Sequence, residues 1–265
     1  MEIINAIILG IIEGITEFLP ISSTGHLILA NQIFSFPEPF QTSFDIIIQL
    51  GAIFSVVFYF RKRINPFQAN VTPEKKNEIL DLWKKTIIGV IPALIIGGLL
   101  GSKVEELLFN PTTVAIMLFI GGSLLIIIES KHKDPKINST LQLTYQTVLL
   151  IGLIQTLAMI PGTSRSAVTI IGAMLLGSSR IVAAEFSFFL AIPTMFAATG
   201  YSILKHGVNM QTNQIWLIII GFVVSFIVAY SVISFFMKFI SNHNFISFGY
   251  YRIVLALLVF LFLII

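Results

Sequence analysis

The 265-residue chain contains no cysteine, only two tryptophans and four histidines, and so few charges that Asp, Glu, Lys and Arg together make up 11% of it. Without cysteine there can be no disulfide, no thiolate nucleophile and no thiolate metal site, so any metal ion must be held by oxygen or imidazole. The shortage of charge, beside 56% hydrophobic residues and a mean hydropathy of +0.93, excludes an ordinary water-soluble domain. Neither a GxxxxGK[ST] phosphate loop nor an HExxH zinc motif occurs, which argues against nucleotide-driven transport. The net charge of +3 arises mainly from two short basic loops; it reports membrane orientation, and nucleic acid is excluded as a partner.

What is present is a series of apolar runs joined by short loops, which leaves no room for a soluble domain and predicts one integral membrane domain over 1–265. The first run, "MEIINAIILGIIEGI", has no basic flank and carries acids inside its core, so it is expected to stay in the mature chain rather than be cleaved. Measured against the ~20 residues needed to cross a bilayer, the runs 43–60, 85–101, 112–129, 185–204, 215–237 and 250–265 read as spanning helices. Four others are too short or interrupted: 3–19 and 24–34 flank Pro20, and 147–160 and 166–177 flank "PGTSRS" at 161–166. They are expected to form two helix-break-helix hairpins that dip into the membrane and return. Broken backbone at membrane depth is tolerated only where protein or a wet cavity surrounds it, so each break marks a candidate site.

Orientation follows from the basic residues. The loop 61–85 carries Arg61, Lys62, Arg63, Lys75, Lys76, Lys84 and Lys85, and the loop 130–140 carries Lys131, Lys133 and Lys136, which places both in the cytoplasm. The loop after 204, with only Lys205, falls outside, as do both chain ends. Each half is then a hairpin plus three spans, roughly 1–135 and 140–265, and an odd number of spans inverts the second copy relative to the first. A 142-residue offset sets Gly10 on Gly152, Glu13 on Gln155, Ser22 on Ser164, Thr24 on Ser166 and Phe44 on Phe186. The expected fold class is therefore an all-α polytopic membrane protein built as an inverted repeat. Gly10 with Gly14, and Gly97 with Gly101, permit close helix packing within one chain or between two, so a homodimer stays open.

The breaks carry the chemistry. Glu13 and Glu17, four apart, share one helix face. An acid at mid-bilayer costs about 2.5–3.5 kcal/mol, so the pair needs a partner or a wet cavity. A solvated, inert pair at the interface is disfavoured because residues 3–12 already carry position 13 to depth. After Pro20, "ISSTGH" offers Ser22 and Ser23 as caps of a second half-helix whose free N–H groups and positive dipole end suit an anion. Ser23 and His26, three apart, could act as nucleophile and imidazole partner, or could simply cap the helix and bind a carbonyl. The second break adds Thr163, Ser164 and Ser166 and the planar fork of Arg165, suited to a phosphate oxygen pair or to an ion pair with Glu13 or Glu17. Two carboxylates can hold a hard cation such as Mg²⁺, with Ca²⁺ as an alternative. Acids, hydroxyls, imidazole, guanidinium and two helix N-termini together fit phosphoryl chemistry.

The stretches "EGITEFLPISSTGH" at 13–26, "PGTSRSAVT" at 161–169, "EFSFFLAIP" at 185–193 and "YR" at 251–252 closely resemble the undecaprenyl-diphosphatase, or bacitracin-resistance, family, and the resemblance runs over essentially the whole chain. It implies hydrolysis of undecaprenyl diphosphate to undecaprenyl phosphate and inorganic phosphate, recycling of the peptidoglycan lipid carrier, a divalent-cation requirement, and a site opening to the outer face of the bacterial plasma membrane. Carried over, it places the paired acids at Glu13 and Glu17 as metal ligands, with Ser23, His26, Glu17 and Arg165 as catalytic residues. Ser22, Thr24, Ser164, Ser166, Thr169 and Arg165 become substrate-binding residues. The resemblance favours Ser23 as nucleophile with His26 relaying the proton; spacing alone does not choose between Ser23, His26 and water. Phe186, Phe188 and Phe189 are expected to line a groove for the isoprenoid tail. The competing reading is a transporter or flippase for an anionic lipid or solute, which would use the same inverted repeats and midplane helix ends without needing a nucleophile.

Overall fold

A computed structural model describes residues 1–69, 71–131, 134–206 and 211–264, apart from the side chains of 204–206. Lys133 and the side chain of Lys205, counted above for orientation, lie outside the described set. The first break separates α1 (Glu2–Thr16) from α2 (Ser23–Ala30); then come α3 (Phe40–Tyr59), the short α4 (Arg61–Ile64), α5 (Pro73–Leu108) and α6 (Pro111–Lys131). The second half repeats the plan with α7 (Tyr145–Gln155), a 3-10 turn over Thr156–Met159, α8 (Arg165–Leu175), α9 (Arg180–His206), α10 (Thr212–Ile240) and α11 (Ile246–Leu263). Six of these, α3, α5, α6, α9, α10 and α11, are long and apolar enough to cross a membrane. The chain is thus an all-α polytopic membrane protein.

Both hairpins return to the face they start from. Asn5 donates its side-chain amide to the carbonyl of Ser35 (3.0 Å), joining the start of α1 to the chain just beyond α2. In the second half, the N–H groups of Lys136 and Ile137 bond the Gly177 carbonyl (2.9 and 3.0 Å), and Ser179 N–H bonds that of Ile137 (2.8 Å). The second tie lies at the end of the bundle where the basic loops gather. There Arg63 pairs with Glu185 and reaches Thr140, Arg180 pairs with Glu129, and Lys85 pairs with Asp81, which also accepts from Tyr145. The first tie lies at the opposite end, so the hairpins enter in opposite senses.

The packing is reciprocal. Helix α1 lies on α10 of the other half and α7 on α5; α2 meets α11 and α8 meets α6. Lipid offers no hydrophobic drive between helices, so close backbone approach through small residues supplies the attraction. A Cβ on Gly10 or Gly14 would stand 2.7 or 2.8 Å from the carbonyl oxygens of Gly221 and Ser225 on α10. On Gly152 it would stand 2.0 Å from the Gly89 carbonyl oxygen.

Two expectations need correction. The stretch 61–85 is not all loop, because α5 begins at Pro73: Thr72 caps it, accepting from Lys75 N–H (3.3 Å), and Pro73 occupies a position where a missing N–H costs nothing. Lys75, Lys76, Lys84 and Lys85 therefore ride on a helix that outruns its apolar span. Phe186, Phe188 and Phe189 line no groove; they are 0 to 2% exposed. They pack edge-on in the central core, Phe188 on Phe18 (5.2 Å) and Phe189 on Phe60 (5.0 Å), because the face of α9 that bears them turns toward α3 and the bundle interior.

Candidate active site

The two breaks have the same local build. Ser22 caps α2, its hydroxyl accepting from Gly25 N–H (3.3 Å), and Ser164 caps α8, accepting from Ala167 N–H (3.2 Å). Both caps hold the same uncommon backbone, φ 74°, ψ 100° and φ 69°, ψ 112°. For a residue with a side chain that conformation costs about 1–3 kcal/mol and persists only where surroundings enforce it. Its effect is to aim the first turns of α2 and α8, hence Ser23 and Arg165, into one cavity of about 500 Å³.

Inside that cavity Glu17 is the hub. Its Oε2 accepts from the Ser23 hydroxyl (2.7 Å) and its Oε1 from Nη2 of Arg165 (2.8 Å), a charge-assisted bond across 148 positions. Arg165 also donates to the Ser187 carbonyl (3.1 Å) and lies over the Phe18 ring (5.7 Å), while its buried Nε has no partner. Ser22, Ser23, Thr24, Ser164 and Arg165 all line the cavity. Gln49 of α3 and Gln155 of α7 also line it, and Gln155 leaves its buried Oε1 unpartnered.

Other expected site residues stand behind this surface. Ser166, 1% exposed, bonds the Leu19 carbonyl (2.9 Å) and so ties one break to the other. Thr169, fully buried, bonds the Arg165 carbonyl (2.8 Å) and the Ser187 hydroxyl (2.6 Å). Neither lines the cavity, so the expectation that they bind substrate directly is corrected to support of Arg165 and its turn. His26 is likewise turned away. Its Nδ1 faces the Ser22 carbonyl (2.7 Å) and must therefore carry the proton, leaving Nε2 to accept from the Tyr251 hydroxyl (2.7 Å). Both nitrogens are engaged, and the partner of Ser23 is Glu17.

Glu13 is wholly buried, one turn before Glu17, and neither of its carboxylate oxygens has a hydrogen-bond partner. Among the described residues no cluster of three or more His, Asp or Glu side chains forms a ready cage. Two acids beside a serine hydroxyl nonetheless fit the hard-cation pattern in which one or two carboxylates and a substrate phosphate share the ion.

Arg252 was given no role by sequence reasoning beyond its place in a short motif. It is 0% exposed and donates to the carbonyls of Pro20 in the first break, Gly162 and Thr163 in the second, and Met117 of α6, at 3.0 to 3.4 Å. Gly121 makes room for it, since a Cβ there would stand 2.4 Å from Nη2. The available signal was an arginine inside the apolar run "ISFGYYRIVLALL".

Comparison with known proteins is consistent with this architecture. Residues 6–258 match the family model described as bacitracin resistance protein BacA. A protein of Clostridioides difficile strain 630 named undecaprenyl-diphosphatase 1 is 50% identical over 262 residues, 98% of this chain and 95% of its own length. Undecaprenyl-diphosphatases of Fusobacterium nucleatum and Limosilactobacillus fermentum are 51% and 46% identical, covering 96% and 98% of this chain and 97% and 96% of their own. A match that spans both hairpins and the long helices between them makes this chain a member of the bacitracin resistance protein BacA family.

Proposed function

We propose that this protein hydrolyses undecaprenyl diphosphate to undecaprenyl phosphate and inorganic phosphate at the outer face of the bacterial plasma membrane, recycling the lipid carrier of peptidoglycan synthesis and so conferring bacitracin resistance. The observation that carries this reading is the meeting of Ser23 and Arg165, one from each break, on the single carboxylate of Glu17. An anion carrier has use for the guanidinium but none for a hydroxyl hydrogen-bonded to a buried base.

In this reading the terminal phosphate lies against the Arg165 fork and the first turns of α2 and α8. Ser23 Oγ attacks its phosphorus while Glu17 takes the hydroxyl proton; the bond from phosphorus to the bridging oxygen breaks and undecaprenyl phosphate departs. Water then attacks the phosphorus of the phosphoserine, the bond from phosphorus to Ser23 Oγ breaks as Glu17 returns its proton to Oγ, and inorganic phosphate leaves. Arg165 exchanges its bond to Glu17 for phosphate oxygens and stabilises the charge that develops on them. Glu13 and Glu17 would hold a divalent cation, Mg²⁺ or Ca²⁺, which would neutralise diphosphate charge. His26 orients the turn through the Ser22 carbonyl and Tyr251. The two halves, roughly 1–135 and 140–265, are read as inverted repeats; the basic loops at one end of the bundle support a cytoplasmic assignment for that end.

The test is phosphate release from undecaprenyl diphosphate by the purified protein in detergent, with and without Mg²⁺. Steady, cation-stimulated release supports the reading; tight binding without hydrolysis under any cation would replace it with the carrier.

A further inference from the structure

The cavity wall contributed by the second hairpin carries a polar group that the reaction outlined above does not use. Gln155, the last residue of α7, lines the cavity and is 2% exposed. Three residues before it, Gly152 stands in backbone contact with Gly89 of α5, which fixes the end of α7, and the chain then tightens into the 3-10 turn over Thr156–Met159. The orientation of the carboxamide follows from its neighbours. Thr194 of α9, which also lines the cavity, gives its hydroxyl proton to the Leu190 carbonyl (2.7 Å). Towards Gln155 it can therefore only accept, and it accepts from Nε2 (3.2 Å). Oε1 is left as a buried acceptor with no donor. Such groups are rare in native structures, where an ordered water or a ligand supplies the missing donor. The equivalent position of the other half behaves alike: Gln155 falls on Glu13, whose buried oxygens also lack partners. An amide differs from the acid in one respect that matters here, because it takes up neither a proton nor a charge and can only accept a hydrogen bond.

On the phosphatase reading, on which this step depends, we propose that Gln155 is a catalytic residue of the second half of the reaction: its Oε1 holds the water that hydrolyses the phosphoserine. An ionised diphosphate and a prenyl chain bring no hydrogen-bond donor of their own, whereas the attacking water does, and the reaction requires it. Displacement at phosphorus runs in line, so this water must approach from the side opposite Ser23 Oγ, which the departing undecaprenyl phosphate has vacated. Ser23 is delivered by the first hairpin and Gln155 by the second. As the water oxygen bonds to phosphorus, the bond from phosphorus to Oγ breaks and Glu17 returns its proton to Oγ. One water proton stays on the attacking oxygen, hydrogen-bonded to Oε1; the other passes to a phosphate oxygen, and dihydrogen phosphate leaves. Gln155 is unchanged throughout. Its contribution is to aim a water lone pair at phosphorus.

The experiment follows single turnovers of undecaprenyl diphosphate radiolabelled in its terminal phosphate, in detergent with Mg²⁺, for the intact protein and for Gln155→Leu, Gln155→Asn and Thr194→Val. Quenched samples are assayed for undecaprenyl phosphate, free phosphate and label on the protein, and thermal unfolding is recorded for each variant. Gln155→Leu should form undecaprenyl phosphate within about threefold of the intact rate but release inorganic phosphate about a hundredfold more slowly, the cost of a misplaced reactant. Label should then accumulate on the protein, and should vanish when Ser23→Ala is added. Gln155→Asn, which withdraws the acceptor, should show the same imbalance, and Thr194→Val, which removes only the anchor of the amide, a smaller one. These two decide the matter if Gln155→Leu does not fold. Equal slowing of both products, or unchanged rates, would overturn the proposal, since a purely structural role does not separate the two steps. A raised Mg²⁺ requirement with no labelled protein would also overturn it and assign Oε1 to the cation. Failure of the intact protein to form either product would instead overturn the phosphatase reading itself.

Discussion

At the scale of single residues, the arrangement divides the polar groups of the two breaks into those that face the cavity and those that hold them there. Ser23→Ala removes the hydroxyl proposed to attack phosphorus without disturbing the cap, which belongs to Ser22, so phosphate release should fall by about a hundredfold or more with the melting temperature nearly unchanged. Arg165→Lys keeps a charge but loses the fork, and should recover only part of the activity lost in Arg165→Ala. Full activity in folded Ser23→Ala would reassign the attack to water. At the proposed cation site, chelation should suppress turnover, and Glu13→Gln should raise the Mg²⁺ concentration needed for half-maximal rate by removing one of the two proposed carboxylate ligands. Arg252→Leu acts differently: it strips a donor from the carbonyls of Pro20, Gly162 and Thr163, each a buried loss of about 1–3 kcal/mol. It should lower the melting temperature as well as activity.

At the scale of elements, helices are held by backbone proximity where glycine allows it. Gly152→Ala would drive a Cβ to 2.0 Å from the carbonyl oxygen of Gly89, and a main-chain carbonyl cannot rotate aside, so α7 must separate from α5. The same substitution at Gly97 meets no atom within 4 Å and gains helix propensity worth about 0.8–1 kcal/mol. Thermal unfolding in detergent should therefore show a large drop for Gly152→Ala and none for Gly97→Ala; equal drops would mean that α5 packs alike along its length. The Ser22 and Ser164 caps are a second case at this scale. Their matching φ and ψ at equivalent places in the two halves come from one turn design, used twice to present Ser23 in one case and Arg165 in the other.

At the scale of the whole molecule, reciprocal docking of the halves creates the site, because each break alone supplies only part of the machinery. The absence of cysteine makes the topology directly testable. Glu38→Cys and Glu106→Cys lie at the end of the bundle where the first hairpin enters, and Lys62→Cys and Glu74→Cys lie at the basic end. A membrane-impermeant maleimide applied to whole cells should label the first pair and spare the second until the membrane is opened. The reverse pattern would place the cavity's face in the cytoplasm.

The membrane class, the spanning helices, the two breaks and the candidate residues within them were legible in the chain, because hydropathy, helix-breaking proline and capping serine act over a few neighbouring residues. The full length of α5 is hidden because its charged first turns resemble a loop, and only the Thr72-Pro73 start signal marks the helix there. Partnership was not legible. Ser23 and His26 share a turn, which made them an obvious pair by spacing, yet the hydroxyl bonds Glu17 and the imidazole bonds Tyr251, 225 positions away. Whether Phe188 faces lipid or core, and whether a glycine faces a helix or open space, also depends on the side from which another segment approaches. What can enter the membrane, where the backbone must break and which chemistry the breaks offer are written in the local order of residues. Tertiary structure alone decided which of those groups meet, because contacts such as Glu17 with Arg165 form only when two halves without local connection dock.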